Sequence, residues 1–235
     1  MYTYLLINVF TILIPLLLSF ERRIRYVNKW RCLLPSVAIV GIIFLIWDRY
    51  FILKGVWGFN PSYLVGVYFF HVPLEEILFF ICIPFSCVFI YEVVRYFIKR
   101  DILNSYLRLL ILSVAALLGA VGILARDKMY TSITFLSCAV LLLLHLYYLK
   151  SSYLGHFLLT YSVSMIPFLI VNGILTNGLS YVDNGAVVWY NNAENLSIRI
   201  AGIPIEDGIY SGLLLLLNIT VYEYFKKKAC RFAAI

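Results

Sequence analysis

Seven apolar runs, at about 3–20, 33–53, 73–97, 106–125, 130–149, 155–175 and 204–225, dominate this chain. Each approaches the roughly 20 residues that carry an α-helix across a hydrocarbon core about 30 Å thick. Backbone placed in lipid must satisfy its N–H and C=O groups internally, and a helix does so within its own segment. The runs therefore predict an all-α, polytopic membrane protein of about seven transmembrane helices. Of the 235 residues, 63% are apolar and 13% charged, which excludes a soluble globular domain. Little chain is left between the runs, so the function has to reside in the membrane. The first run has no basic stretch ahead of it and passes from Ser19-Phe20 straight into Glu21-Arg22-Arg23. It reads as a retained helix, not a cleaved leader.

The net charge of +7 points to a membrane topology rather than to nucleic acid, because the charges are segregated. Fourteen of the 19 Lys and Arg residues fall on one side of the spans: between Arg22 and Arg31, between Arg95 and Arg108, at Lys150, and in the tail from Lys226. The positive-inside rule then places the N-terminus outside and the C-terminus in the cytoplasm of a multi-pass cell-membrane protein. Five cysteines without a CxxC pair and three histidines without ligand spacing offer no metal site.

Two distant segments match at a fixed offset. Pro73-Leu74-Glu75-Glu76 answers Pro204-Ile205-Glu206-Asp207, and eighteen positions after each proline stands the same pair, Tyr91-Glu92 and Tyr222-Glu223. Upstream, Phe44-Leu45-Ile46-Trp47-Asp48 resembles Phe168-Leu169-Ile170-Val171-Asn172, and the Trp57 segment resembles the Trp189 segment as Val56-Trp57-Gly58-Phe59-Asn60 against Val188-Trp189-Tyr190-Asn191. This pattern predicts two parallel three-helix repeats, 1–100 and 128–235, joined by a connector helix within 101–127. With one connecting span, the repeats are related by a pseudo-twofold axis along the membrane normal, and both acidic motifs open on the same, outer face beside loops 54–72 and 176–203.

A proline followed by carboxylates in the first turn is good helix-start chemistry, since the missing N–H is harmless there and negative charge suits the dipole. Two copies at equivalent membrane positions ask for more, because ionisable groups at membrane depth are unfavourable and usually face a cavity. Adjacent carboxylates repel and burial penalises the charged form, so one member of each pair is expected to hold a proton while a partner stays ionised. Trp47, Trp57, Trp189, Tyr63, Tyr190 and Tyr210 lie near the motifs, and ring faces of this kind can stabilise a cation. Asp48 and its counterpart Asn172 are candidates for a supporting hydrogen-bond role. Glu92 and Glu223 lie about 25 Å further along their helices, at the opposite interface, and His71 reads as a cap or loop residue.

These residues resemble the integral-membrane lycopene cyclase family, found as heterodimers, as fused single chains and within bifunctional fungal enzymes. The resemblance runs through Pro73-Leu74-Glu75-Glu76 with Leu78-Phe79-Phe80, through Asn60-Pro61, through Ile198-Arg199-Ile200 ahead of Pro204-Ile205-Glu206-Asp207, and into Tyr222-Glu223. It implies cyclisation of the linear ends of lycopene to β-ionone rings, an isomerisation, with Glu75, Glu76, Glu206 and Asp207 as the acid and base groups. Asp48, Asn172, Trp57, Trp189, Tyr210 and Arg199 are the candidates for substrate contact or support. Gly208 departs from the pattern, at a place where a bulky aromatic is expected. The resemblance implies a lipid-soluble carotenoid and membrane lipid as partners, with no nucleic acid, no metal and no organic cofactor, in keeping with the lack of a G-x-G-x-x-G dinucleotide signal.

Other classes fit less well. An intramembrane protease would need an arginine where Phe80 stands, a prenyltransferase would need aspartate-rich motifs, and a retinal receptor would need a lysine inside the last span. A non-enzymatic transporter with parallel repeats would need polar groups at mid-depth, where Asn218 is nearly alone. Cyclases that act on C50 carotenoids or form ε or γ rings stay open as alternatives.

Overall fold

A computed structural model describes residues 2–177 and 185–232. Residues 178–184 of the second expected loop and the Cys230 side chain lie outside the described residues. Among the described residues, seven α-helices follow one another: α1 (Thr3–Leu18), α2 (Trp30–Lys54), α3 (Leu74–Phe97), α4 (Ser105–Leu124), α5 (Met129–Leu143), α6 (Leu154–Asn177) and α7 (Ile205–Phe232). A π-helical stretch, Leu144–Tyr148, prolongs α5. Six of these helices, as far as they are described, are long and apolar enough to cross a membrane. The exception is α1, whose 16 residues reach about 24 Å. The chain is an all-α polytopic protein. Local chemistry sets several ends: Asn104 accepts from the Leu107 N–H at 2.9 Å to open α4, and Gly55 closes α2 in the left-handed conformation at φ 69°.

The described segments before α3 and α7 are ordered by six short strands: β1 (Trp57–Phe59), β2 (Tyr68–Phe69), β3 (Val72–Pro73), β4 (Val188–Tyr190), β5 (Arg199–Ile200) and β6 (Ile203–Pro204). Hairpins β2–β3 and β5–β6 turn through the pairs Phe70-His71 and Ala201-Gly202, all four with positive φ, as a two-residue turn with right-handed strand twist requires. His71 is thus a turn residue. Pro73 does not open α3 as its first helical residue. It pairs in β3 with φ −66° and ψ 150° and serves as the N-cap, one position earlier. The hairpin extends this far because proline has no N–H to lose from the ladder, and the next N–H, of Leu74, bonds the Val67 carbonyl at 2.9 Å.

Strands β1 and β4 pair antiparallel, with Trp57 opposite Tyr190, Gly58 opposite Trp189 and Phe59 opposite Val188. Two reciprocal bonds flank them, Asn60 N–H to Val187 and Asn191 N–H to Val56, both 2.8 Å. This ladder is self-complementary about the Gly58–Trp189 pair, as a pseudo-twofold relation between the repeats requires. It also corrects the sequence matching of Trp57 with Trp189. The offset that aligns the acidic motifs aligns Trp57 with Val188 and Phe59 with Tyr190, and a one-residue slip in a strand reverses the face. Trp189 is accordingly 48% exposed and Trp57 6%. The Trp189 ring lies where Gly58 would carry a Cβ.

The repeats interlock. α1 packs on α3 as α5 packs on α7, while α2 packs on α7 and α6 on α3, so the second helix of each repeat lies against the last helix of the other. Outside this symmetry, α4 lies along α5. At the basic end the exchange is reciprocal: Tyr91 donates to Glu223 at 3.1 Å and Tyr222 to Glu92 at 2.7 Å. Lys29 and Lys226 pair with Glu92, and Arg95 pairs with Glu223. Glu92 and Glu223, buried here, lock the repeats together.

Candidate active site

Both acidic pairs sit in the first turns of α3 and α7, at the end opposite those ion pairs, and all four carboxylates are buried. Their two positions behave differently. Glu75 and Glu206 turn back to the preceding loops, accepting from the N–H of Val65 at 2.5 Å and of Leu196 at 2.8 Å. Val65 and Leu196 are related by the same repeat offset. Thr131 adds a hydroxyl to Glu206 at 2.7 Å, and Asn8 donates to the Glu75 carbonyl at 2.7 Å. These two carboxylates fix where the loops enter the helices.

Glu76 and Asp207 face a cavity of about 650 Å³ bounded by α1, α3, α6 and α7. Its walls are apolar along most of their length, with Ile7, Ile14, Ile83, Phe168, Val171 and Leu214 among them. Polar groups gather at one end, where Asp48, Asn172 and the phenols of Tyr4, Tyr130, Tyr190 and Tyr210 join the two carboxylates. Three helices around it carry mid-helix prolines that line it, Pro15, Pro84 and Pro167. Each removes a backbone hydrogen bond and crowds the preceding turn.

The carboxylates are supported unequally. Asp207 accepts from Tyr130 at 2.6 Å, Tyr190 at 2.8 Å and Asn172 at 3.1 Å. Burial and the neighbouring Asp207 raise the Tyr190 phenol well above its ordinary range, so it serves as a donor. Glu76 accepts from Tyr4. Where the second repeat has Tyr190 the first has Phe59, and where it has Asn172 the first has Asp48. Asp48 accepts from the Trp57 indole at 2.9 Å through Oδ1, and its buried Oδ2 has no partner among the described residues. Glu76, Asp48 and Asp207 line the same cavity.

Aromatic faces surround this end. Tyr210 meets Phe44, Trp47 and Trp57 edge-on at centroid separations of 5.1, 5.4 and 6.0 Å, and Tyr130 stacks on Tyr190 at 6.1 Å. Of the residues that the sequence singled out, Glu76, Asp207, Asp48, Asn172, Trp57 and Tyr210 come together on the cavity wall. Glu75, Glu206, Trp189 and Arg199 lie outside it. Arg199 is exposed, bonds the Gly202 carbonyl and the Asn192 side chain, and sits over the Tyr190 ring. At Gly208 the aromatic bulk comes from another helix: the Tyr161 hydroxyl on α6 donates to the Gly208 carbonyl at 2.8 Å. Sequence reasoning passed over Tyr4 and Tyr130, although the two tyrosines open the first helix of each repeat at matching positions.

The sequence model of the lycopene cyclase family matches residues 1–94 and 127–225. The chain belongs to that family. The unmatched stretch between the two segments contains α4. Two curated relatives are both named bifunctional lycopene cyclase/phytoene synthase. The protein from Aspergillus niger is 24% identical over 211 residues, 82% of this chain and 34% of its own length. That from Arthroderma gypseum is 36% identical over 75 residues, 32% of this chain and 12% of its own. The chain thus spans about a third or less of the curated relatives it matches. No solved structure matches it.

Proposed function

We propose that this lycopene cyclase family member converts the linear ends of a carotenoid into β-ionone rings by acid-initiated cation cyclisation. The observation that carries the reading is the apolar, helix-walled cavity whose one polar end holds Glu76 and Asp207. A hydrocarbon chain is matched by such walls, and the cavity's carboxyl groups lie where its end would rest. A carboxylic acid there protonates the terminal double bond to give a tertiary cation. The neighbouring double bond supplies the pair that closes the ring, and a carboxylate removes a ring proton to set the final double bond. The rings of Trp57, Phe59, Phe79, Tyr130 and Tyr210 line the cavity, and a ring face turned to the cation stabilises it. Glu75 and Glu206 act through the loops they anchor. With the basic residues at the other end of the helices, the site lies on the outer side, the N-terminus outside and the C-terminus in the cytoplasm.

Expression in lycopene-producing cells tests the reading. Chromatography should show monocyclic and bicyclic products replacing lycopene, and membranes from these cells given preformed lycopene in heavy water should place one deuterium on each new ring, because the carboxyl protons re-equilibrate with solvent between turnovers. Unchanged lycopene in cells that accumulate the protein, or unlabelled rings, would sink it.

A further inference from the structure

We infer that Asp48 is a third catalytic carboxyl, paired with Glu76 as the proton-donating side of the site, and that Asp207 is the proton-accepting side; the inference rests on the proposed cyclase reading. Asp48 is 1% exposed and lines the cavity, and its Oδ2 is a buried oxygen without a hydrogen-bond partner among the described residues. An ionised carboxylate in such a place calls for donors at both oxygens, whereas a protonated one needs fewer and has a hydrogen to give.

The pseudo-twofold provides the control within the same molecule. At the matching place in the other repeat stands Asn172, whose amide donates to Asp207. Donors to a carboxylate favour its charged form, and Asp207 has an amide and two phenols. Replace the amide by Asp48 and one phenol by Phe59, and the same geometry leaves Glu76 with Tyr4 as its side-chain donor and a second carboxyl on the same cavity wall. Three buried carboxyls share this end of the cavity and do not all ionise, and the retained proton goes to the side with fewer donors, the Asp48–Glu76 pair. The cycle then closes. The proton leaves the Asp48–Glu76 pair for the inner carbon of the terminal double bond, the C–C bond forms from the next double bond to the resulting tertiary cation, and a C–H bond on the ring breaks toward Asp207. The pair is left one proton short and Asp207 one proton richer, and proton return restores both with no net change in substrate composition.

The test uses the full chain in lycopene-producing cells, with activity read per unit of membrane-inserted protein. Wild-type ring formation is the reference, and its absence would fail the cyclase reading, not this one. Asp48→Asn keeps the size and the Trp57 acceptor, and Asp48→Ser keeps an acceptor with less bulk. Both should form rings about 10²-fold more slowly or worse, and when membranes from these cells are given preformed lycopene in heavy water the linear carotenoid recovered should stay unlabelled, because the first proton transfer is lost. Asp48→Glu, which keeps a titrating group, should recover at least part of the activity. Ring formation by the Asn and Ser variants within about threefold of wild type, deuterium in their recovered linear carotenoid, or Asp48→Glu failing as fully as the amide, would each overturn the assignment.

Discussion

The two repeats place the same kinds of groups around the pseudo-twofold axis, yet one side is open and the other filled. On the filled side, α2 presents Phe44, Trp47 and Phe51, which pack edge-on with Tyr210, Trp57 and Tyr130. On the open side, the matching positions of α6 are Phe168, Val171 and Leu175, and they line the cavity. An isopropyl group in place of an indole, and an isobutyl group in place of a phenyl ring, leave open space on that side. Two of the cavity prolines follow the same division, since Pro15 and Pro167 are matched by Leu141 and Ile43, which do not line the cavity. The two halves thus share one helix arrangement, and a few side chains make one side a pocket and the other its support.

The strongest test of this asymmetry is to fill the open side as the other side is filled. Val171→Trp should lower ring formation on the order of 10²-fold by displacing the chain end from reacting distance, while the amount of inserted protein stays near wild type. Pigment chromatography with immunoblotting checks both. Retained activity would mean that the cavity is not the substrate site.

A smaller effect is expected from making the Asp207 side resemble the Glu76 side. Tyr190→Phe creates the ring that Phe59 already provides and removes one of the three donors to Asp207. At about 1.5 kcal/mol for a hydrogen bond to a charged group, turnover should fall roughly tenfold, with substrate uptake unchanged. Single-turnover assays in detergent or vesicles separate the two.

Smaller again, and in stability rather than chemistry, is the expected loss at the inner anchors. Glu75→Gln or Glu206→Gln weakens a charge-assisted bond to a loop N–H by about 1–2 kcal/mol, which lowers the melting temperature by roughly 2–8 °C in a chain of this size. A thermal-shift assay of the solubilised protein measures it. No shift in either variant would remove the anchoring role.

The smallest effect lies in the strand ladder between the repeats. Gly58→Ala puts a Cβ against the Trp189 ring, but that ring is half exposed and can swing outward, so the cost is about 1 kcal/mol or less. Combined with Trp189→Ala, the loss should disappear, and a double-mutant cycle with no coupling would contradict the close contact.

Much of this was legible in the chain. The apolar runs predict the helices to within a few residues, because a span has to satisfy its own backbone whatever surrounds it. The fixed offset between the acidic motifs predicts the parallel repeats, and it is the same offset that relates Val65 to Leu196 and Asn60 to Asn191. Less was legible in the short connecting segments. The resemblance of Trp57 to Trp189 misled by one residue, since a conspicuous side chain outweighed the register that the strand ladder keeps. Tyr4 and Tyr130 stood out in no way, because a tyrosine at a membrane boundary is common and its hydroxyl partner lies 72 or 77 residues away.

Hydrophobic length and repeat spacing, both properties of the chain taken in order, are enough to establish a duplicated bundle of membrane helices with a pair of carboxylates opening the last helix of each repeat. Lipid enforces the first, and the shared offset carries the second. Which carboxylate of each pair faces the cavity was settled by packing in three dimensions. Glu75 and Glu76 are neighbours in the chain, but successive residues of a helix point about 100° apart, so one reaches back to its loop and the other faces into the bundle. The interlocking of α2 with α7 and of α6 with α3 then brought Asp48 and Asn172 to the partners that give those facing carboxylates unequal surroundings.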